Sequence, residues 1–517
     1  MLRIGIDFDN TIANYDDVFS HVAQKFKLIN TKWHGDKTEL KKKIIKEKNV
    51  EVWKKLQGQV YGRYMHLAKA SYGFENFILK SKFSKAKIFI VSHKTKFGHY
   101  DKKKIRLRNE ALKWIKKKKY LRDIKIFFEN SIDDKIARIN NLKLDYFIDD
   151  LEIILKNKLL NKQTKKILFC NKNINELGKQ NWTQINNSIY RKENNNYLKF
   201  YIEYLLKKKI KKINQLKGRK NSKIYKIEFK NKNYAIVKQY PDRFNDRRLR
   251  IEREIEAFKI LKKYKFDNVP KVIEYNKDFN LLIMEYINGY TPKKISIEDL
   301  NQSIKFVKKI KKIKIEKQNY PFFAEESCEN FKNLLNQINY KFNDLVKVSN
   351  NSKILKNHLN NILKKTMNNL FKSSKKLKIY KILFKKTNND HLILSPSDFG
   401  FHNTIKSKKL YFIDFEYFGL DDPVKLVIDF ILHPGMKINL QLKKKWLKTN
   451  LSIFANDKYF KKRLFFLIPF FAIRWALIVL NDFKIKQSSN SQRNKQIEKS
   501  IFFCHLVNSR AYEKWID

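Results

Sequence analysis

The sequence predicts two successive units, an α/β unit over residues 1–190 and an α+β unit over 197–517, joined by a linker at 191–196. Three observations predict this. In the first third, short apolar runs end in an acid or a hydroxyl, at Asp7, Ser92 and Asp149, with helical segments between them, as in a sheet whose connections are helices. Residues 186–196 are polar, Asn-rich and aperiodic, as a linker is. Beyond them, apolar runs at 224–229 and 234–240 give way to a long helical region that is interrupted by residues 395–416, SPSDFGFHNTIKSKKLYFIDFE.

Length and composition are consistent with this. A chain of 517 residues exceeds one ordinary core. With 43% hydrophobic residues, including 40 Phe and 25 Tyr, it has ample surface to bury and is not a disordered chain. The formal charge of +62 would ordinarily point to nucleic acid or an anionic membrane. Lys, Asn, Ile, Phe and Tyr are abundant throughout, however, while Gly (12) and Pro (8) are scarce, as AT-rich coding would produce. Lysine runs at 116–119 and 207–212 therefore read as solvated helix faces. Three cysteines without metal-ligand spacing suggest neither a disulfide framework nor a zinc site. Residues 1–10 enter a strand without a signal-peptide pattern, and the most apolar stretch, 464–480, is interrupted by Pro469 and Arg474. A buried helix pair is expected there, with a cytoplasmic location and no membrane partner.

Residues 2–8 read as a buried strand leading to Asp7 and Asp9. Two positions apart on an extended chain, these carboxylates lie side by side at the C-terminal edge, where open α/β sheets keep their sites. One such acid can attack phosphorus to give an aspartyl-phosphate while the other serves as acid and base. A second strand, KIFIV at 87–91, ends at Ser92, a hydroxyl able to bind a phosphoryl oxygen. Lys135, in the helical DDKIARI, can neutralise that group, and a third strand at 146–148 ends in Asp149 and Asp150.

These four motifs, in this order, resemble those of the haloacid dehalogenase (HAD) superfamily. The resemblance covers the first third of the chain and implies a Rossmann-like domain with a small helical cap, expected from helical segments at 18–27, 38–55 and 61–79. It implies Asp7 as nucleophile, Asp9 as acid/base, Ser92 and Lys135 on the phosphoryl group, and a Mg²⁺ site drawn from Asp7, Asp9, Asp149 and Asp150. The substrate would be a small-molecule phosphate ester. His93 and Lys94, in the loop at 92–96, are candidates to read it.

The second unit is expected to open with a helix at 197–216, followed by a turn containing Gly218 and Ser222 and a hairpin carrying Lys238. The amphipathic RIEREIEAFKIL presents Glu254 as a partner for Lys238, with Glu252 and Glu256 as alternatives. Residues 295–386 read as mostly helical. In the central stretch, Asp398 precedes Asn403 by five residues, and an apolar run delivers Asp414. Phosphoryl transfer from a nucleotide needs a carboxylate to position and deprotonate the acceptor, and oxygen ligands for Mg²⁺. Asp398 suits the first task; Asn403 and Asp414 suit the second.

The spacing D-x-x-x-x-N followed by a strand ending in D-F-E resembles the aminoglycoside phosphotransferase and choline kinase family. That resemblance implies a bilobal protein-kinase-like fold, with an N-lobe at about 197–290 and a C-lobe at about 291–517. It implies ATP and Mg²⁺ as cofactors and a small-molecule hydroxyl acceptor chosen by the helices of 295–386. Lys238, held by Glu254, would meet the nucleotide phosphates, with Gly218 and Ser222 over them and the backbone around Glu285 and Tyr286 against the adenine. Asp429, within 421–434, would be a structural hydrogen-bond acceptor. One departure is Pro396, where the family has His, and it bears on loop geometry.

The expected function is a bifunctional enzyme, a small-molecule phosphatase fused to an ATP-dependent kinase acting on a metabolite such as a sugar or amino-sugar. One alternative is polynucleotide end processing, which +62 would suit; the G-x-x-x-x-G-K-[ST] loop of such kinases does not occur, and no nucleic-acid partner is expected. The other is a phosphatase with an inactive kinase-like binding module. Pro396 speaks for it, and the presence of Lys238, Glu254, Asp398, Asn403 and Asp414 speaks against it.

Overall fold

The computed structural model describes residues 1–30, 33, 36–98, 104–170, 179–190, 195–216, 222–242, 244, 246–314, 316, 320–377, 379–383, 391–485 and 488–515. The chain forms two compact units. The first comprises Met1–Gln215, Ile227–Asn233 and Asn276–Leu281; the second comprises Leu216–Lys226, Tyr234–Tyr275 and Leu282–Asp517. Residues 197–215, grouped by sequence with the second domain, thus fall in the first unit. Of the expected linker, 191–194 lie outside the described residues, and 186–189 belong to the helix Trp182–Ile189.

The first unit is built on a six-stranded sheet in the order Lys125–Glu129, Lys87–His93, Arg3–Ile6, Tyr146–Asp149, Lys165–Phe169, Lys179–Gln180. Every neighbouring pair is parallel. Ile4, Ile6, Ile90, Val91, Phe147 and Ile148 are fully buried, as expected of strands covered on both faces. Register positions the site: Ile6 lies opposite Ile90 on one side and Ile148 on the other. Asp7, Ser92 and Asp149 therefore emerge together at the C-terminal ends of three adjacent strands.

The insert between the first two strands differs from the helices expected. Asp16–Lys25 matches the first, but 38–55 divides into Lys37–Glu47 and Val50–Tyr61, because Asn49 caps the second helix by accepting from Val52 N at 2.9 Å. In place of one helix at 61–79 there are a short 3₁₀ turn, Met65–Leu67, and the helix Phe74–Phe83, which starts after Gly73 at φ 84°.

A five-stranded sheet runs in the order Val272–Asn276, Leu281–Glu285, Tyr234–Gln239, Lys223–Phe229, Ile210–Leu216. Its last strand corrects the expected helix at 197–216. The helix spans only Asn195–Leu206; Lys207 turns left-handed (φ 51°) and the chain continues extended. Helix Arg250–Lys263 buries Ile251, Ile255, Phe258 and Leu261 along one stripe. Helices then dominate, with Ile297–Lys311, Phe331–Ser349 and Lys364–Ser374 in the region read as helical.

The apolar stretch is one continuous helix, Phe460–Val479, rather than a pair; it runs through Pro469. By length and a mean hydropathy of 2.1, Phe460–Lys484 is long and apolar enough to cross a membrane, yet 78% of its most apolar window is buried in the protein. Arg474 within it reaches Glu326 Oε2 at 2.5 Å and Asp429 Oδ1 at 3.4 Å. Trp475 Nε1 donates to the same Asp429 oxygen at 2.8 Å, so Asp429 has the acceptor position expected of it.

Candidate active sites

In the first unit, Asp7 is fixed by its backbone, Asp7 N donating to Ile148 O at 2.8 Å. Its Oδ1 accepts from Ser92 Oγ at 2.9 Å and from Lys135 Nζ at 2.7 Å. Lys135 comes from the helix Ile132–Asn141, whose cap Ser131 accepts from Asp134 N, and it also donates to Asp149 Oδ2 at 2.6 Å. Burial favours the neutral amine, but Asp7 and Asp149 outweigh it and hold the Lys135 pKa above its ordinary value. Asp7, Asp149 and Asp150 each offer an oxygen within 4.8 Å of the others. Burial and then repulsion from Asp7 push the Asp149 carboxyl up to about 7, and burial with Asp7 and Asp149 pushes Asp150 up to about 8. Three crowded carboxylates of this kind fit a hard divalent cation, which takes oxygen ligands.

Asp9 stands apart from that cluster. Both of its carboxylate oxygens are 2.9 Å from Lys94 Nζ, and Tyr15 Oη donates to Oδ1 at 2.6 Å. Its side chain is thus occupied by a buried ammonium, which separates it from the metal-ligand role expected of it. Lys94, a candidate to read the substrate, is instead a partner of Asp9; His93 stays at the edge of the cavity, with Nε2 3.0 Å from Asn130 O. Asn10, immediately after Asp9, has φ 61°, a left-handed conformation that Asn tolerates better than most side chains.

In the second unit, Lys238 Nζ donates to Glu254 Oε2 at 2.7 Å. Glu254 lies on the buried stripe of its helix and is 0% exposed, whereas the alternative Glu256 pairs with Lys259 at 3.7 Å and Glu252 is half-buried. Tyr240 Oη also donates to Glu254. Lys238 Nζ further meets Asp414 Oδ1 at 2.5 Å and lies 3.2 Å from Glu416 Oε2. Burial opposes its charge, but Asp414 and Glu254 outweigh burial and hold its pKa well above the ordinary value. Glu416 is gripped by Arg250 and by Ser222 Oγ, the latter at 3.1 Å.

Asp414 arrives from the hairpin Thr404–Lys406 and Leu410–Phe412, with Ile413 N bound to Asn403 O at 3.0 Å. It holds φ 70°, and Ser397 beside Asp398 holds φ 65°; left-handed non-glycine residues of this kind cluster at functional sites. Asp398 lies in a turn closed by its own N–H on Pro396 O at 2.9 Å. His402 Nε2 is 2.9 Å from Asp398 Oδ1, and Asn403 Nδ2 donates to Asp398 O at 2.8 Å and Oδ2 at 3.0 Å. An imidazole reaches Asp398 nonetheless, from His402 four residues after it. Burial pushes the Asp398 carboxyl up, but the hydrogen bond and electrostatic pull of His402, followed by His433 and Asn403, hold it well below the usual range.

The carboxylates gathered with Asp414 are Glu254 and Glu416, with oxygens within 4.8 Å of one another, a donor set that also fits Mg²⁺. Asn403 commits its amide nitrogen to Asp398, so any part it takes in metal binding falls to its oxygen. Asp398, His402 and His433 are equally close, but His433 Nδ1 accepts from Gly435 N at 3.1 Å. Its proton is then assigned to Nε2, 3.6 Å from Asp398 Oδ1, so that nitrogen offers no lone pair to a metal.

No protein-family model and no curated protein matches the sequence. Solved structures similar to the chain include a spectinomycin phosphotransferase in complex with ADP and spectinomycin, at TM-score 0.44 and 12% identity, covering 60% of this chain and 98% of that one. An ethanolamine kinase of Plasmodium vivax gives TM-score 0.43 at 16% identity over 65% and 98% of the two chains. A choline kinase of Cryptosporidium parvum gives 0.40 at 13% identity over 65% and 98%. Likenesses below TM-score 0.5 leave the function to the geometry of the sites themselves.

Of the remaining predicted residues, Gly218 lies outside the described residues. Glu285 ends the strand Leu281–Glu285, and its N–H is committed to Lys271 O at 2.8 Å. The Tyr286 ring lies 3.9 Å from Lys226 Nζ and 5.7 Å from the Tyr234 ring. Sequence reasoning missed Glu416, although D-F-E spells it out, and missed Arg250, Tyr240, His402 and Tyr15, for which spacing gives no signal.

Proposed function

We propose that the protein is a bifunctional enzyme, with an ATP-dependent kinase for a hydroxyl of a small metabolite in its second unit and a phosphatase using an aspartyl-phosphate in its first. The kinase reading is carried by one buried constellation, Lys238 paired with Glu254 and Asp414, within a chain segment that also holds Asp398 against Asn403. The phosphatase reading, in the manner of the haloacid dehalogenase superfamily that its motifs resemble, is carried by the convergence of Asp7, Ser92, Lys135, Asp149 and Asp150 at neighbouring strand ends.

In the kinase, Asp398 orients the acceptor hydroxyl and takes its proton as oxygen attacks the γ-phosphorus and ADP departs. Its depressed pKa keeps it ionised at neutral pH, suited to orienting the hydroxyl. Lys238 exchanges its contact with Asp414 for nucleotide phosphate while Glu254 and Tyr240 hold it in place. Asp414, with Glu416 and the Asn403 oxygen, would hold Mg²⁺, which supplies charge neutralisation to the phosphates.

In the phosphatase, Ser92 and Lys135 both meet Asp7 Oδ1, so attack on phosphorus falls to Oδ2. Lys135 can turn its charge to the transferring phosphoryl group. Asp9, taking up a proton as it parts from Lys94, gives that proton to the leaving oxygen and then takes one from the water that cleaves the aspartyl-phosphate. Asp7, Asp149 and Asp150 would hold the Mg²⁺ that offsets their mutual repulsion.

The test is mass spectrometry of a panel of sugars, amino-sugars, amino alcohols and DNA ends incubated with ATP and Mg²⁺, using Asp7→Asn protein so that product survives. A phosphorylated metabolite is expected and should vanish when Asp398→Asn is added. Hydrolysis of p-nitrophenyl phosphate by the wild type is expected to fall at least about a thousandfold in Asp7→Asn. No product and no ATP-dependent rise in Tm would reduce the second unit to a binding module.

A further inference from the structure

We propose that the phosphatase cavity contains a second anion subsite, formed by Lys37 and Lys41, and hence that its phosphate ester carries a second anionic group, a phosphate or a carboxylate. This rests on the phosphatase reading above. The cavity has a volume of about 590 Å³ and is lined by Asp7, Ser92 and Lys135 together with Lys37, Lys41 and Tyr61. Room of that order suits a whole small ligand rather than a phosphoryl group alone.

The charges in its wall are unevenly matched. Of the residues in that wall, Lys135 is neutralised by Asp7 and by Asp149 outside it, and Asp9 is paired with Lys94 outside it, each at hydrogen-bond distance. Lys37 differs. Its Nζ donates to two neutral groups, Tyr61 Oη at 2.7 Å and Asn10 Oδ1 at 3.4 Å, and no carboxylate lies within 4.0 Å of it among the described residues. The ammonium also sits over the Phe19 and Tyr61 rings, 5.5 and 5.4 Å from their centroids, which holds it in place. Burial opposes its charge, yet the hydrogen bond to Tyr61 and the Asp150 and Asp9 carboxylates, both beyond 4.0 Å, outweigh burial and hold its pKa above the ordinary value. Lys41, one turn further along the helix Lys37–Glu47, lines the same cavity with no hydrogen bond or ion pair among the described residues.

Asp150, also on that wall, belongs with Asp7 and Asp149 in the candidate metal-ligand set, and the two acids nearest these lysines in the chain do not cancel them. Asp16 accepts from Lys37 N at 3.1 Å and from Asn14 Nδ2 at 3.3 Å, while Asp36 caps the helix by accepting from Glu39 N at 2.9 Å. Both acids are thus engaged with the helix start and the adjoining loop. What remains facing the cavity from the cap is a pair of ammonium groups one helical turn apart, on a different element from the residues that would hold the scissile phosphate.

The test measures affinity in full-length Asp7→Asn protein with Mg²⁺, by calorimetry, for fructose 1,6-bisphosphate, 2-phosphoglycolate and glycerol 1-phosphate. At least one of the first two is expected to bind about tenfold or more tighter than glycerol 1-phosphate, the bisphosphate and carboxylate arms distinguishing the two anions. Lys37→Met should remove that preference and Lys41→Met should reduce it. The proposal is overturned if neither compound is preferred, or if Lys37→Met weakens all three equally, which would put Lys37 on the scissile phosphate. Should Lys37→Met fail to fold, Lys41→Glu, at an exposed position, decides by the same ratio. Hydrolysis of p-nitrophenyl phosphate reports separately on the phosphatase: preference without turnover sinks that reading alone, and turnover without preference sinks the subsite alone.

Discussion

His402 Nε2 lies 2.9 Å from Asp398 Oδ1, beside a turn in which Ser397 is left-handed. The same conformation recurs at Asn10 and Asp414, each next to or at an acid of a site. Local strain of about 1–3 kcal/mol at such residues is tolerated where surrounding contacts hold them. Glu75 shows a different residue-scale tension. Burial and then Asp278 push its carboxyl up to about 7, against an ordinary value of 4.5. Because the folded state holds this proton more tightly than the unfolded chain, its contribution to stability is complete below pH 4.5 and lost as pH rises through about 7. The loss amounts to up to about 3 kcal/mol. Thermal melts from pH 5 to 8 should therefore fall less steeply in Glu75→Gln than in the wild type; parallel curves would refute the assignment.

Among elements, the sequence was legible where one local rule acted alone. Strands at 87–91 and 146–148, the hairpin carrying Lys238 and the helix carrying Glu254 each follow from periodicity, and the structure has all of them. Boundaries failed where a single residue overrode a helical pattern, as Asn49 does by capping and Lys207 by turning left-handed. Pro469 misled in the opposite direction, since a helix packed all round survives one missing N–H. Gly289 tests an element contact that no periodicity reveals. A Cβ there would lie 2.3 Å from Lys406 O, on the backbone bridge in which Tyr290 and Lys406 exchange hydrogen bonds at 3.1 and 2.8 Å. Gly289→Ala should cost about 1–3 kcal/mol, read as a lower urea midpoint at unchanged m-value. An unchanged midpoint would mean that the bridge yields freely.

At the scale of the whole molecule, a charge of +62 predicts weak, sequence-independent binding to duplex DNA that is released by salt. Fluorescence anisotropy of labelled duplexes should show affinity falling about a thousandfold or more between 50 and 200 mM salt, equally for phosphorylated and unphosphorylated ends. Retained preference for an end at high salt would favour the end-processing alternative. By itself the sequence determined which residues could do chemistry: Asp7, Ser92, Lys135, Asp149, Lys238, Glu254, Asp398 and Asp414 all stand out by residue type at strand ends or helical spacing. Beyond the pair Lys238 and Glu254, tertiary structure decided the partners. Lys94 is bound to Asp9 and Glu416 to Arg250, while Lys37 has Tyr61 and Asn10 rather than a carboxylate as its hydrogen-bond partners. The physical reason is range. Periodicity and capping act over a few residues, whereas these ion pairs join residues 85 to 166 positions apart, as Lys94 with Asp9 and Arg250 with Glu416, and only the packed fold brings such groups within reach.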